Sequence, residues 1–281
     1  MKKSKNTSRR TMIKTSMTAI VSSTIIPSGN VHAANRPKAK GETKIVYLGG
    51  DQLHNGMGQR QELRSVFSET GWRMLFVTDA RYVTPELISD ADLLMITRWG
   101  GAVEGWCSEP IQEGVIADDG YMSDELEEAI VYNVIGRGMG FMAFHCTCWT
   151  PERQKFNDMM GIKGIMHGLV QTVHMHNFNQ GHPITKGIGE FDLTLDENFG
   201  VELTNPKAVK LYETTGRTDN RHDIAGWCLE NGKGRIVGLV AGHTYTAWRD
   251  QTYRQLFWRG AHWAMHRDIP AFDDPKFRKK S

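Results

Sequence analysis

The chain has 281 residues, 40% of them hydrophobic and 23% charged, which is enough apolar mass for one large core without covalent staples. Its formal charge of +2 hides an asymmetry: residues 1–33 hold Lys2, Lys3, Lys5, Arg9, Arg10 and Lys14 and no acid, and taking those six from 34 leaves 28 basic against 32 acidic side chains, a net charge near −4. That balance argues against a phosphate-tracking nucleic-acid binder, whose affinity rests on clustered Lys and Arg, and favours a neutral or polar small ligand.

Residues 1–33 read as an address. Ser8-Arg9-Arg10-Thr11-Met12-Ile13-Lys14 resembles the twin-arginine export motif, and the apolar stretch at 17–26, interrupted by Thr and Ser, falls short of the ~20 residues of a membrane span. Val31-His32-Ala33 offers small residues for cleavage after Ala33 or Ala34, and no Cys follows that could carry a lipid. The expectation is a periplasmic or secreted protein without a stable membrane anchor. A polar linker at 34–43, one domain at 44–267 and a polar tail at 268–281 complete the organisation.

Within the domain, the apolar run 44–48 closed by Gly49-Gly50 predicts a buried strand and a turn. Leu63, Val66 and Phe67 stand at helical spacing within 59–70, which stops at Gly71. A strand at 74–77, a short helix at 84–89 and a strand at 91–97 follow. Ser123 caps a helix whose first turn is acidic and whose buried face is Leu126, Ile130 and Val134. The strand 140–144 then runs out at His145, and a helix is expected at 153–160. From there the pattern changes to shorter, period-two strands: 169–176, in which Val170, Thr172, His174 and His176 share one face, then 209–213, 224–229 and 234–240, with a turn at 232–235 and a closing helix at 251–266. Apolar strands alternating with helices predict an α/β fold with a mostly parallel sheet and helices on both faces.

In such a sheet, ligands bind outside the carboxyl ends of the strands. That rule selects His54 after the first strand, His145 after the fourth and His243 after the last, with His176 on a neighbouring strand and the Asp196-Glu197 pair as a carboxylate source. Imidazole and carboxylate donors suit a divalent transition metal, zinc or similar. Each histidine alone is an ordinary loop residue; their coincidence at strand ends is the signal. Trp99, Trp106, Trp149 and Trp248 fall in loops near the same ends, where they could stack on sugar rings or fill the core. The cysteines Cys107, Cys146, Cys148 and Cys228 read as small buried apolar residues, and Phe144-His145-Cys146-Thr147-Cys148 lacks the small neighbours of a nucleophile elbow.

The stretch 123–145, Gly181-His182-Pro183-Ile184-Thr185-Lys186-Gly187, Asp196-Glu197-Asn198-Phe199, Gly232-Lys233-Gly234-Arg235, Gly242-His243 and Gly260-Ala261-His262-Trp263-Ala264 resemble, in order, the ThuA-like (trehalose utilisation) family. The resemblance implies a flavodoxin-like, class I glutamine amidotransferase-like fold lacking the amidotransferase triad. It implies carbohydrate metabolism, including disaccharides oxidised at a ring carbon, and roles for His145, Glu197 and His243. The first-strand region departs from the family's Gly-rich turn with closely spaced histidines, having His54 among Asp51, Gln52 and Asn55, and the insert at 99–121 is atypical.

Two functions follow. One is metal-assisted or general acid/base chemistry on a sugar or keto-sugar (hydrolysis, hydration or isomerisation), with His145, Glu197 and His243 catalytic, His54, His145, His176 and His243 as metal ligands, and Trp99, Trp149 and Trp248 against the sugar. The other is a non-catalytic carbohydrate-binding or accessory protein. Glutamine amidotransfer is a distant third, homo-oligomerisation is left open, and a small carbohydrate is the expected partner.

Overall fold

In the computed structural model, residues 36–51, 54–98, 122–150 and 153–271 are described. The expected export signal, Trp99, Trp106, Cys107, the 99–121 insert and most of the polar tail lie outside them.

The elements run β1 (Lys44–Gly49), α1 (Gly56–Phe67), β2 (Arg73–Val77), α2 (Pro85–Ile88), β3 (Leu93–Thr97), α3 (Asp124–Val131), β4 (Gly140–Phe144), α4 (Gln154–Met160), β5 (Ile162–Asn177), β6 (Phe191–Leu203), β7 (Val209–Gly216), β8 (His222–Asn231), β9 (Gly234–Leu239), α5 (Tyr245–Arg249) and α6 (Gln251–Ala264). They form one nine-stranded sheet ordered β2-β1-β3-β4-β9-β8-β6-β5-β7, with β7 also paired to β8. Parallel pairing is confined to β2-β1-β3-β4-β9. In that part β1, β3 and β4 are buried along their whole length, as strands covered on both faces must be.

The expectation of a mostly parallel, flavodoxin-like sheet is overturned. Every pairing among β5, β6, β7, β8 and β9 is antiparallel, and these include the longest strands, β5 with 16 residues and β6 with 13. Because β5 pairs with β6 and β7, and β8 with both of those, the four close into a barrel. The cause is local. Residues 162–240 supply period-two strands with one polar face and no crossover helix, and strands joined by short turns can pair only antiparallel. The β8–β9 hairpin shows this: Asn231 pairs with Gly234 around Gly232, whose φ of +60° and close approach to the Ile135 backbone leave no room for a side chain.

The strand β6 has no counterpart in the sequence expectation. Phe191, Leu193 and Leu195 alternate as a strand should, but Asp196-Glu197-Asn198 interrupts the apolar pattern with three polar residues. In the fold Asp196 and Asn198 are fully buried within β6. Two helix groups complete the architecture, α1 with α5 and α6, and α2 with α3 and α4; α6 lies on β4 and β9. A buried lysine braces one end. Lys44 begins β1 at 2% exposure, its Nζ donating to the Leu87 carbonyl at 2.6 Å and to the Asp90 carboxylate, while its backbone N–H reaches Asp92 Oδ2 at 2.8 Å.

Candidate active site

The strands β1, β4 and β9 deliver three histidines to one place. After β1, Gly50 turns at φ +84° and passes so near Gly56 that an added Cβ would stand 2.8 Å from its Cα. The chain folds back there, and Asp51 and His54 face each other as an isolated antiparallel bridge. Asp51 Oδ1 accepts the His54 backbone N–H at 3.0 Å and lies 2.7 Å from His54 Nδ1, which orients the imidazole and leaves Nε2 for other partners. After β4, His145 takes a positive φ of 45°. A non-glycine residue in that region is strained, and such strain concentrates at functional positions. Its Nδ1 donates to the Val240 carbonyl at 2.9 Å, so Nε2 is the nitrogen directed into the site. After β9, Gly242 at φ +119° leads into His243.

The three rings stand on a nearly equilateral triangle: centroids are 5.0 Å apart for His54–His145, 5.1 Å for His54–His243 and 5.0 Å for His145–His243. One ring nitrogen from each lies within 4.8 Å of the others. Glu197 of β6 completes the group, with Oε2 at 3.2 Å from His145 Nε2 and 3.3 Å from His243 Nδ1, and those two nitrogens are 3.0 Å apart. His54 and His145 are buried, whereas the His243 side chain is 25% exposed and forms the open corner.

Protonation is divided unequally between the two nearest rings. Burial lowers the His145 pKa, but the hydrogen bond to Glu197 and the charges of Asp196 and Glu197 outweigh it, and the net shift is upward. His243 is pushed down to about 4, by burial first and then by the charge on His145. Of the two rings His145 is therefore the one that takes up a proton first, its Nε2 facing the Glu197 carboxylate and His243 Nδ1.

Behind this pair sits Asp196. Fully buried, it accepts the backbone N–H of Gly242 on Oδ2 at 2.8 Å and those of His243 and Thr244 on Oδ1 at 2.8 and 3.3 Å. Burial raises its pKa against the pull of His145 and these N–H donors. Asp196 thus positions the His243 loop while its neighbour Glu197 enters the site, and the alternation of a strand explains how adjacent residues serve opposite sides. Sequence reasoning singled out Glu197 and gave Asp196 no role apart from it, and Asp51 none. The Asp51-x-x-His54 spacing was the available signal.

Other expected residues fall elsewhere. His176 lies in β5 in a second cluster with His174 and Glu190, apart from the triangle. Trp248 is not a sugar platform: it is fully buried, its ring 5.1 Å from Phe144 and 5.7 Å from Phe257, and its Nε1 donates to the Gly242 carbonyl at 2.8 Å. Burial of so large a side chain stabilises the core by about 2–3 kcal/mol, which explains why an apparent loop tryptophan is packed away. Trp149 is half-buried and lies against Gly164, where an added Cβ would come within 2.5 Å of its ring. Cys146, Cys148 and Cys228 are buried and unpaired by disulfides. Cys146 Sγ approaches His54 Nδ1 at 3.6 Å and Asp51 Oδ2 at 3.8 Å, but burial and the Asp51 charge push its thiol far up, so it is no thiolate at neutral pH.

A groove of about 610 Å³ adjoins the triangle in sequence, lined by Asn55, Met57, Gly58, Arg60, Gln61, Arg64 and Tyr245. Asn55 follows His54 directly, and Tyr245 is two residues beyond His243.

The family profile described as trehalose utilisation, ThuA, matches residues 49–264, from the end of β1 to the end of α6. This chain belongs to the ThuA family. The matched span takes in His54, His145, Glu197 and His243, and membership sets the chain among proteins of carbohydrate metabolism. Its fold is similar to a ThuA-like protein of Parabacteroides merdae, at TM-score 0.63 and 16% identity over 82% of this chain and 92% of that one. A ThuA-like protein of Bacteroides uniformis is similar at TM-score 0.58 and 13% identity, covering 78% and 91% of the two chains. A β-galactosidase of Rahnella shares the fold over 82% of this chain but 32% of its own, at TM-score 0.53 and 14% identity. No curated protein matches the sequence. Among the described residues, no helix is long and apolar enough to cross a membrane.

Proposed function

We propose that this ThuA-family protein acts on a sugar or keto-sugar at the histidine triangle, moving protons with the help of a divalent transition metal. The observation that carries this reading is convergence: three imidazole nitrogens meet within 4.8 Å, and His54 and His145 each have a ring nitrogen held by an outer partner, Asp51 and the Val240 carbonyl. Donors held by such outer partners are the signature of imidazole metal sites. The donor set fits zinc or a similar ion, which His54, His145 and His243 would hold. When bound, it would supply Lewis acidity toward a carbonyl or hydroxyl oxygen.

The chain's own groups do the rest. Holding a cation requires His145 to release the Nε2 proton that Glu197 otherwise stabilises, so uptake strengthens as pH rises. Glu197 then serves as the proton carrier beside the reacting carbon, removing a carbinol hydrogen next to a carbonyl and returning it to a neighbouring atom. Without an ion the same residues remain an acid/base couple, neutral His243 accepting and protonated His145 donating. The groove between Asn55 and Tyr245 is of the size that small ligands occupy, and its amide, guanidinium and phenol groups suit sugar hydroxyls. Export by the twin-arginine route, supported by Ser8-Arg9-Arg10-Thr11-Met12-Ile13-Lys14, belongs to the same proposal.

The test is elemental analysis of untagged mature protein from the exported fraction, joined to NMR assays with ring-oxidised disaccharides. About one equivalent of tightly held transition metal, lost in His145→Ala and His243→Ala together with turnover, is the expected result. Sugar binding that survives both substitutions in a protein that never turns over any substrate would replace this reading with that of a binding module.

A further inference from the structure

The second imidazole cluster has a construction of its own. His174 and His176 stand two residues apart on β5 and so share one face, with ring centroids 4.4 Å apart. Opposite them, β6 pairs Asp192 with His174, and Glu190 immediately precedes that strand. On the other side β7 pairs Thr215 with His174. Each ring is fixed through one nitrogen. Asp192 Oδ1 lies 2.6 Å from His174 Nδ1, and the Thr215 hydroxyl 2.8 Å from His176 Nε2, the same hydroxyl also meeting His222 Nδ1 at 2.9 Å. Asp192 is itself held by Arg217 at 2.5 Å.

The remaining nitrogens both turn toward Glu190: His174 Nε2 is 3.4 Å from Oε2 and His176 Nδ1 is 3.6 Å from Oε1. The first is a long hydrogen bond and the second lies beyond hydrogen-bond reach, against the 2.7–3.2 Å typical of such bonds. Both are near the spacing of about 3.3–3.4 Å between ligands that each sit ~2.0–2.1 Å from a tetrahedral ion, and a small turn of the carboxylate brings one oxygen toward both rings. One donor atom from each of the three residues lies within 4.8 Å of the others, while the shorter hydrogen bonds go to the outer partners, a carboxylate and a hydroxyl, that fix ring orientation in metal sites.

We infer that His174 Nε2, His176 Nδ1 and the Glu190 carboxylate form a second divalent-metal site on the antiparallel half of the sheet, selective for zinc or copper. Rigid strands carry two of its ligands, so little ordering is needed on binding. The side chains are 30%, 34% and 53% exposed, which leaves coordination positions open to water and makes the site reversible, loading at micromolar free ion. It stands independently of the chemistry proposed for the triangle.

The test is a titration of zinc chloride into the full chain, read by competition with a chromophoric chelator, after quantifying the metal retained on purification. The parent should take up one further equivalent in the micromolar range. In His174→Ala/His176→Ala that uptake should weaken at least tenfold, with retained metal and melting temperature unchanged, and Glu190→Gln, at a more exposed position, should weaken it less severely but measurably. Copper bound to the parent should show two nitrogen ligands by electron paramagnetic resonance, and none from this site in the double variant. Titrations of the parent and both variants that superimpose, or a parent that takes up no ion below millimolar concentration, would overturn the inference. Either result leaves the triangle's metal content as a separate question.

Discussion

Replacing Asp196 by asparagine tests whether the His243 loop is set by one buried carboxylate. Both oxygens accept backbone N–H groups, Oδ2 from Gly242 at 2.8 Å and Oδ1 from His243 and Thr244 at 2.8 and 3.3 Å. Asparagine keeps the shape but turns one acceptor into a donor. In its better orientation it keeps the pair at His243 and Thr244 and sets an NH₂ group against the Gly242 N–H. A lost bond to a charged acceptor contributes about 1.5–3 kcal/mol, and an orphaned buried N–H a similar amount. Relief from burying a charge offsets part of this, since burial already drives the Asp196 pKa upward. A net loss of about 2 kcal/mol follows, and for a domain of this size that lowers the melting temperature by roughly 4–8 °C. Calorimetry and urea titration of Asp196→Asn check the magnitude, and metal analysis checks the position of His243. A variant as stable as the parent that keeps its full metal content would refute the claim that Asp196 positions this loop.

Glu197→Gln should lower turnover about 10²- to 10⁴-fold while the retained metal falls far less, because the proton carrier is lost and the three histidines remain; steady-state kinetics beside elemental analysis separate the two. Asp51→Asn should weaken metal affinity about 10- to 100-fold by freeing the His54 ring to rotate, as measured by chelator competition. At the far end of β1, Asp90→Asn should destabilise the fold by about 1–2 kcal/mol at neutral pH, less than the ~3–5 kcal/mol for stripping a buried charge, because Lys44 keeps the Leu87 carbonyl and the Asp90 side chain is 30% exposed. Burial works against the Asp90 carboxylate, but the bonds from Lys44 and the Lys38 N–H hold its pKa below the ordinary value. This contribution is therefore present above the unfolded-state pKa of about 3.9 and is lost as pH falls through the lower folded value, so the parent should show an acid-limb loss of stability that Asp90→Asn lacks.

What could be read in the sequence follows physical rules with short reach. Strand ends at Gly49, Phe144 and Leu239 are announced by apolar runs that stop, and so His54, His145 and His243 could be picked out before any contact was known. The antiparallel half was misjudged because pairing direction depends on how strands are connected, a property of chain path rather than of any one segment. β6 was missed for the reason that makes it useful: Asp196-Glu197-Asn198 breaks the hydrophobic alternation, Asp196 and Glu197 bracing and charging the site and Asn198 bonding to Thr214 and Arg221. His176 shows the limit of face arguments. Its side of β5 was read properly, but the barrel turns that face toward Glu190 and Thr215 instead of the triangle. Likewise Trp248 lies in a segment that looks like loop, yet its indole fills the space between Phe144 and Phe257.

Closure of β5, β6, β7 and β8 leaves the two ends of the sheet unlike as edges. In the antiparallel half β7 and β8 have hydrogen-bonding neighbours on both sides along most of their length, whereas β6 meets β8 only at Val201–Ile224 and β5 meets β7 only over 173–177. At the opposite end β2 pairs with β1 alone among the described strands. It is five residues long, begins with Arg73, and is half-buried throughout. β2 is thus a short edge remote in strand order from the barrel, and a charge placed on it is the economical way to suppress strand addition there.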